Sequence, residues 1–276
     1  MKRFYASTFT YTILAKKNDN LDVIYPYFRD DERGDKEMFL VSPQHGRSYM
    51  VGLKDCDRYV ICKGGGLSYT TQNIMDTPEM EADIWGLLWY KDALRDFTLC
   101  NEVASIGEIK TNRMECVIEL DLNLSIRADK KQKPVLLQYS VESPYRISDA
   151  AFMNKSIINK EVAKWEIFNQ KSYKQKYLIA AEVLIRNLRI LHDHKILHNA
   201  ISTHNYTWAL ELLDFELACS PAYPYEQEDY KRHIPSLFAR EIIQTYQIIN
   251  EIAWLLREDL NYKMIESIFN RYKFYI

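Results

Sequence analysis

A lysine followed by three glycines is the first group in the chain whose residue types and spacing could do chemistry. Lys63 ends a short β-rich run, 59–62, and Gly64, Gly65 and Gly66 come directly after it. A strand would direct the lysine ammonium into a cleft, and glycine lacks the Cβ atom that keeps backbone N–H groups away from a ligand. The pattern predicts a turn that binds phosphate groups, with an exposed turn that binds nothing as the alternative.

A carboxylate on the next predicted helix could hold this lysine in place. Glu102 lies in a helical segment that follows the glycines. An ammonium group that binds phosphate is commonly fixed by a charge-assisted hydrogen bond to a carboxylate on a neighbouring helix. We therefore expect the Lys63 ammonium within about 4 Å of the Glu102 carboxylate. The alternative is that Glu102 is a solvated surface charge.

Oxygen ligands for a metal ion occur in the second half of the chain. Asn205 ends a polar segment that begins at His198, and Asp214 follows the apolar pair 212–213. Amide and carboxylate oxygens, together with phosphate oxygens, suit Mg²⁺, so the sequence predicts a magnesium site at Asn205 and Asp214. His204, beside Asn205, could accept a proton there, because histidine is the side chain most often used as a general base. An ordinary loop histidine is an equally good interpretation of His204.

The elements that must position these residues divide the chain into a β-rich half and a helical half. Short β-rich runs alternate with turns up to residue 145, interrupted by one helical segment over 83–105. Helical periodicity dominates afterwards and is strongest over 177–192 and 237–256. The pattern predicts an α+β fold with a β-rich domain, 1–145, and a helical domain, 146–276.

Composition excludes several classes of partner. The 36 Lys and Arg residues nearly cancel the 38 Asp and Glu residues, so no broad basic field is available for a nucleic acid. The five cysteines form no C-x-x-C pair, which indicates free thiols in a reducing compartment. No run reaches the roughly 18 apolar residues of a membrane span, and 4–15 is predicted to be a strand and not a signal peptide. We expect a cytoplasmic protein without nucleic-acid or membrane partners.

The order of these segments resembles the selenoprotein O family of kinase-like proteins. Residues 63–69 are similar to K-G-A-G-x-T-P, and residues 95–104 to R-E-F-L-x-S-E-A-M. The segment that ends at Arg146 is similar to S-x-x-R-x-G. Residues 198–205 are similar to H-G-x-x-N-T-D-N, and residues 214–216 fall where D-Y-G is expected.

The resemblance implies a protein-kinase-like, two-lobed fold with a β-rich N-terminal lobe and a helical C-terminal lobe. It implies binding of ATP and Mg²⁺ and transfer of AMP to hydroxyl side chains of an acceptor protein. It makes Arg146 a ligand of the nucleotide phosphates beside Lys63. Two departures leave alternatives open: Ala200 stands where kinases have their catalytic aspartate, and Glu216 where the last glycine of D-Y-G would be. An inactive pseudokinase scaffold and a divergent protein kinase are those alternatives.

Overall fold

The computed structural model describes most of the chain in eight stretches: 3–17, 26–30, 33–40, 47–54, 58–66, 86–127, 130–224 and 228–274. Residues 67–69 of the glycine-rich similarity and the predicted helix start at 83 lie outside the described residues. The chain forms two units. The first comprises Met1–Thr98 and Asn112–Tyr145, and the second comprises Leu99–Thr111 and Arg146–Ile276.

The first unit is built on an antiparallel sheet of eight strands. In chain order these are β1 (Arg3–Thr8), β2 (Tyr11–Lys16), β3 (Tyr27–Arg29), β4 (Lys36–Leu40), β5 (Ser48–Lys54), β6 (Arg58–Lys63), β7 (Arg113–Leu120) and, after a small hairpin of β8 (Leu124–Arg127) and β9 (Lys130–Gln132), β10 (Val135–Val141). Their spatial order is β2-β7-β10-β6-β5-β4-β1-β3. The sheet therefore places the lysine strand β6 between β10 and β5.

Burial explains why these segments are strands. All seven residues of β10 are buried, so both faces of this central strand are covered. Its neighbours β6 and β7 are also mostly buried, and Cys62, Cys116, Ile118 and Leu136 pack in one apolar cluster. The strands predicted around 59–62, 114–120 and 134–140 are confirmed.

The predicted single strand over 4–15 is instead two strands. β1 pairs with β3 and β4, whereas β2 pairs with β7 on the far side of the sheet. Only Phe9 and Thr10 separate the two strands. Because no glycine, proline, asparagine or aspartate marks the break, the sequence carries none of the usual turn signals there.

A helix, α1 (Tyr90–Ile106), begins in the first unit and ends in the second. It starts later than the predicted 83, because residues 86–89 are not helical. Gly107 follows its last residue with φ 81°, the left-handed conformation that commonly ends helices and that glycine adopts without strain.

Four further α-helices lie in the described part of the second unit: α2 (Lys155–Ala163), α3 (Lys176–Asp193), α4 (Glu228–Leu256) and α5 (Tyr262–Arg271). The predicted helices over 177–192 and 237–256 are confirmed, although α4 begins earlier than predicted. The buried helix α3 is fixed at its start by Glu258, whose carboxylate oxygens accept the backbone N–H groups of Lys176 and Tyr177 at 2.9 and 3.0 Å. No helix among the described residues is long and apolar enough to cross a membrane.

Candidate functional site

Lys63 forms a buried ion pair in the first unit. It is the last residue of β6, and its ammonium lies 3.1 Å from Oδ2 of Asp96 on α1. Each side chain is only 2% exposed. A charged pair this far from water is held by direct, charge-assisted hydrogen bonding, because either charge alone would be strongly disfavoured there.

The predicted pairing of Lys63 with Glu102 is wrong. Asp96 is the carboxylate that pairs with Lys63, while the Glu102 carboxylate accepts a hydrogen bond from Ser220 Oγ at 2.8 Å within the second unit. The reason is helical geometry. Asp96 and Glu102 are six residues apart on α1, about one and two-thirds turns, so their side chains project from different faces. A role for Glu102 at a nucleotide stays a prediction.

The three glycines after Lys63 have their backbone N–H groups already engaged. Those of Gly64 and Gly65 donate to the carbonyl oxygen of Arg47 at 2.8 and 3.3 Å, and that of Gly66 donates to Gly86 O at 3.2 Å. The predicted phosphate cradle is therefore not formed by these N–H groups, since each has a carbonyl partner in its own unit.

Close packing explains the glycines instead. A Cβ atom on Gly65 would lie 2.1 Å from Cε1 of Tyr49, and one on Gly64 would lie 2.4 Å from Val135 O. Gly64 also has φ 100°, where any residue with a Cβ is strained. Because Gly64 and Gly65 lack Cβ atoms, this segment can pack closely against Val135 and Tyr49. This packing explains the two glycines without a bound ligand.

His198 organises the polar loop of the second unit. The ring is fully buried, and its Nε2 lies 2.8 Å from the carbonyl oxygen of Leu213. Its Nδ1 accepts the backbone N–H of Ala200 at 3.3 Å, so the proton is assigned to Nε2, which donates to Leu213. The ring also packs edge-on against Phe215, with centroids 4.8 Å apart. His198 thus joins the loop to the segment that carries Asp214.

Asn205 and Asp214 lie on adjacent segments. The backbone N–H of Leu213 donates to Asn205 O at 2.9 Å, one residue before Asp214. The side-chain amide of Asn205 donates to Ala200 O at 2.8 Å through Nδ2. Its Oδ1 therefore keeps its lone pairs for another partner.

Asp214 has an unusual backbone. Its φ is 68°, in the left-handed region that aspartate tolerates better than most residues but still adopts with some strain. Strained backbone tends to occur at functional positions. The donor set of one amide and one carboxylate fits Mg²⁺, which commonly takes one or two protein ligands and fills its remaining positions with water and phosphate oxygens.

Among the described residues, no group of three or more His, Cys, Asp or Glu side chains could hold a metal ion. A magnesium site at Asn205 and Asp214, which stays a prediction, would be of a different kind, because it would use two protein ligands only.

Arg146 meets the same loop. Its side chain is buried, and a guanidinium nitrogen donates to His204 O at 2.8 Å. Its backbone N–H donates to Asp149 at 2.9 Å, at the start of a 3₁₀ turn. The structure therefore brings Arg146, His204, Asn205 and Asp214 together in one unit. Lys63 belongs to the first unit.

Glu241 is a residue at this loop that sequence reasoning missed. It lies on α4, is fully buried, and accepts the backbone N–H of Asn199 at 2.6 Å. Its other oxygen lies 2.9 Å from Nε2 of His192, at the end of α3. Asn199 itself has φ 65° and is also contacted by Arg240. The sequence does not indicate this role for Glu241, because a single glutamate on an apolar helix has no distinctive pattern. Its partners, His192 and Asn199, lie more than 40 residues earlier in the chain.

Comparisons with known proteins find a likeness among solved structures. No protein-family model matches the chain, and no curated protein matches it. Among solved structures, it is similar to the crystal structure of a Stt7 homologue from Micromonas algae soaked with ATP. The TM-score is 0.44 at 14% sequence identity, over 84% of this chain and 72% of that one. The strands and helices described above define a mixed α and β protein with an antiparallel eight-stranded sheet and a helical second unit.

Proposed function

We propose that this chain is a kinase-like protein that binds ATP with Mg²⁺ and transfers AMP from ATP to a hydroxyl side chain of an acceptor protein. The observation that carries the proposal is the bonding of the loop from His198 to Asn205. His198 ties that loop to the Asp214 segment, and Asn205 uses Nδ2 for Ala200 O, so its Oδ1 can serve as a hard oxygen ligand on the loop next to the segment of Asp214.

Four side chains have defined roles in this proposal. Asn205 and Asp214 hold the metal ion, which when bound neutralises negative charge on phosphate oxygens. Arg146 uses one donor for His204 O and has further N–H groups in its guanidinium fork for a phosphate group. The fourth, Lys63, lies in the first unit, where it pairs with Asp96, and its role at phosphate oxygens stays a prediction.

The type of reaction that we propose depends on Ala200, which stands where kinases have a catalytic base. Ala200 cannot accept a proton, so direct kinase-type activation of a hydroxyl at that position has no acceptor. In AMP transfer the acceptor hydroxyl oxygen forms a bond to the α-phosphorus. The bond from that phosphorus to the oxygen bridging the α- and β-phosphates breaks, and pyrophosphate leaves. The hydroxyl proton passes to the His204 imidazole, which acts as the general base.

An inactive scaffold is the second candidate, and Ala200 is the observation that favours it. A protein without a base can keep the loop geometry and bind nucleotide without turnover. A divergent protein kinase is a third candidate, and it requires a base at another position.

Labelling with radioactive ATP separates these candidates. ATP labelled at the α-phosphorus should mark the chain or an added acceptor protein, and ATP labelled at the γ-phosphorus should not. Asp214→Asn should abolish the α-label, because asparagine tolerates the left-handed backbone but loses the ligand charge. Asp259→Asn is the matched control, since Asp259 is exposed and lies between α4 and α5.

Each other outcome has a definite meaning. Label from the γ-position alone would replace AMP transfer with a kinase activity. No label from either position, together with no rise in melting temperature on adding ATP and Mg²⁺, would favour the scaffold without nucleotide.

A further inference from the structure

A groove in the second unit is lined by none of the residues of the polar loop. It has a volume of about 410 Å³ and is lined by the 3₁₀ turn Ile147–Phe152, by α2 and by the end of α4. Its buried and half-buried lining is apolar and includes Met153, Ile158, Leu255 and Leu256. The volume falls within the range of clefts that bind ligands, about 300–1,000 Å³.

A large aromatic side chain stands exposed at this groove. Trp254 lines it and is 76% exposed, although it lies on a helix whose neighbouring residues Ile252 and Ala253 are fully buried. Phe152, adjacent to the lining residues Ala151 and Met153, is 61% exposed. Exposed aromatic residues beside a concave apolar surface mark places where a partner side chain is buried.

The charged residues of the groove are both cations. Lys155 and Arg257 line it, and none of its lining residues is acidic. Neither the Lys155 ammonium nor the Arg257 guanidinium has a hydrogen-bond or ion-pair partner in the part of the chain that the structure describes. A ligand that brings a carboxylate would supply the partner that both cations lack.

The backbone of Arg257 adds an independent observation. Arg257 follows the last residue of α4 with φ 56°, and the backbone N–H of Glu258 returns to Ala253 O, the hydrogen bond of a Schellman helix end. Glycine is the usual residue at this position because it adopts the left-handed conformation without strain. Arginine occupies the position despite that strain, which favours a use for its side chain.

We propose that this groove binds a peptide segment of a partner protein that presents a carboxylate beside a large apolar side chain. The apolar side chain packs against Trp254 and the apolar lining, and the carboxylate pairs with Lys155 and Arg257. Ten residues line the groove, whereas a standard interface between folded proteins uses about 20–30 residues on each side. A short segment therefore fits this surface better than a second folded copy.

Selection from a random-peptide phage library against the intact chain tests the proposal. The selected peptides should be enriched in Asp or Glu close to Trp, Phe or Leu. A synthetic copy of the most frequent peptide should bind in fluorescence polarisation. Its affinity should fall at least about tenfold in Trp254→Ala and in Lys155→Glu.

Arg257→Gly separates binding from stability. Glycine suits the left-handed position, so the melting temperature should stay equal or rise while peptide affinity falls. Ile167→Ala is the control, because Ile167 is also 76% exposed but does not line the groove.

Three results would overturn the proposal. These are selection of no peptide, selection of basic or uncharged peptides only, and binding that Trp254→Ala and Lys155→Glu leave unchanged. Concentration-dependent dimerisation that Trp254→Ala abolishes would also overturn it, in favour of a second copy of this chain as the occupant.

Discussion

Removal of the Asp96 carboxylate should destabilise the first unit strongly. Asp96→Ala leaves the Lys63 ammonium, 2% exposed, without its carboxylate at 3.1 Å. Breaking one side of a buried ion pair reduces the free energy of unfolding by about 3–5 kcal/mol. At a urea m-value of about 3 kcal/mol/M, the unfolding midpoint should fall by about 1 M or more. Circular dichroism during urea titration measures this shift.

Two comparisons make the result specific to the pair. Glu102→Ala should reduce the free energy of unfolding by only about 1 kcal/mol, because Glu102 is half-buried and loses one hydrogen bond from Ser220. The double variant Lys63→Met with Asp96→Leu should recover most of the stability lost in Asp96→Ala, since no uncompensated charge remains buried. The reasoning fails if Glu102→Ala is as damaging as Asp96→Ala, or if the double variant is less stable than Asp96→Ala.

Three further predictions concern packing, acid stability and thiol reactivity. Gly65→Ala should lower the free energy of unfolding by about 1–3 kcal/mol, because the added Cβ would meet the ring of Tyr49. Gly52→Ala is the control and should change that free energy by less than about 1 kcal/mol, because there is open space around Gly52. Equal effects of the two substitutions would contradict the packing argument. Burial alone would raise the pKa of Glu182, but hydrogen bonds from two tyrosines and from Arg271 lower it below its usual value. The ionised Glu182 carboxylate therefore stabilises the folded chain above the unfolded carboxyl pKa, and this stabilisation is lost as pH falls through the lower, folded pKa. Urea titrations should therefore show the stability advantage over Glu182→Gln shrinking below about pH 4, and a constant advantage would refute this. Burial raises the pKa of the Cys62 thiol to about 12, so iodoacetamide should modify Cys62 only after unfolding, as mass spectrometry of digested peptides would show.

The sequence predicts strands and helices correctly where the pattern of apolar residues matches the residues that the fold buries. β10 begins with three apolar residues, α3 carries a wide apolar stripe, and both lie where the pattern placed them. Asn205 and Asp214 were predicted to bind one metal ion; the structure joins their segments by the Leu213 to Asn205 hydrogen bond, and the shared metal position stays a prediction. These successes depend on local pattern and on short separations along the chain.

The errors concern contacts between residues distant in the chain. The partner of Lys63 depends on which face of α1 meets the sheet, and Asp96 and Glu102 are equally acidic in the sequence. The glycines after Lys63 are required by Tyr49 and Val135, whose proximity follows from strand pairing and not from local pattern. Such contacts become visible only when the fold is known.

The proposed nucleotide site is tested most directly by isothermal titration calorimetry of ATP into the chain, with and without Mg²⁺. We predict binding that requires Mg²⁺ and that weakens at least about tenfold in Asp214→Asn, while Asp259→Asn binds like the unaltered chain. All three proteins should unfold at similar urea concentrations. No binding of ATP with Mg²⁺, or binding that neither Mg²⁺ nor Asp214→Asn changes, would contradict the assignment of Asn205 and Asp214 as the metal ligands of a nucleotide site.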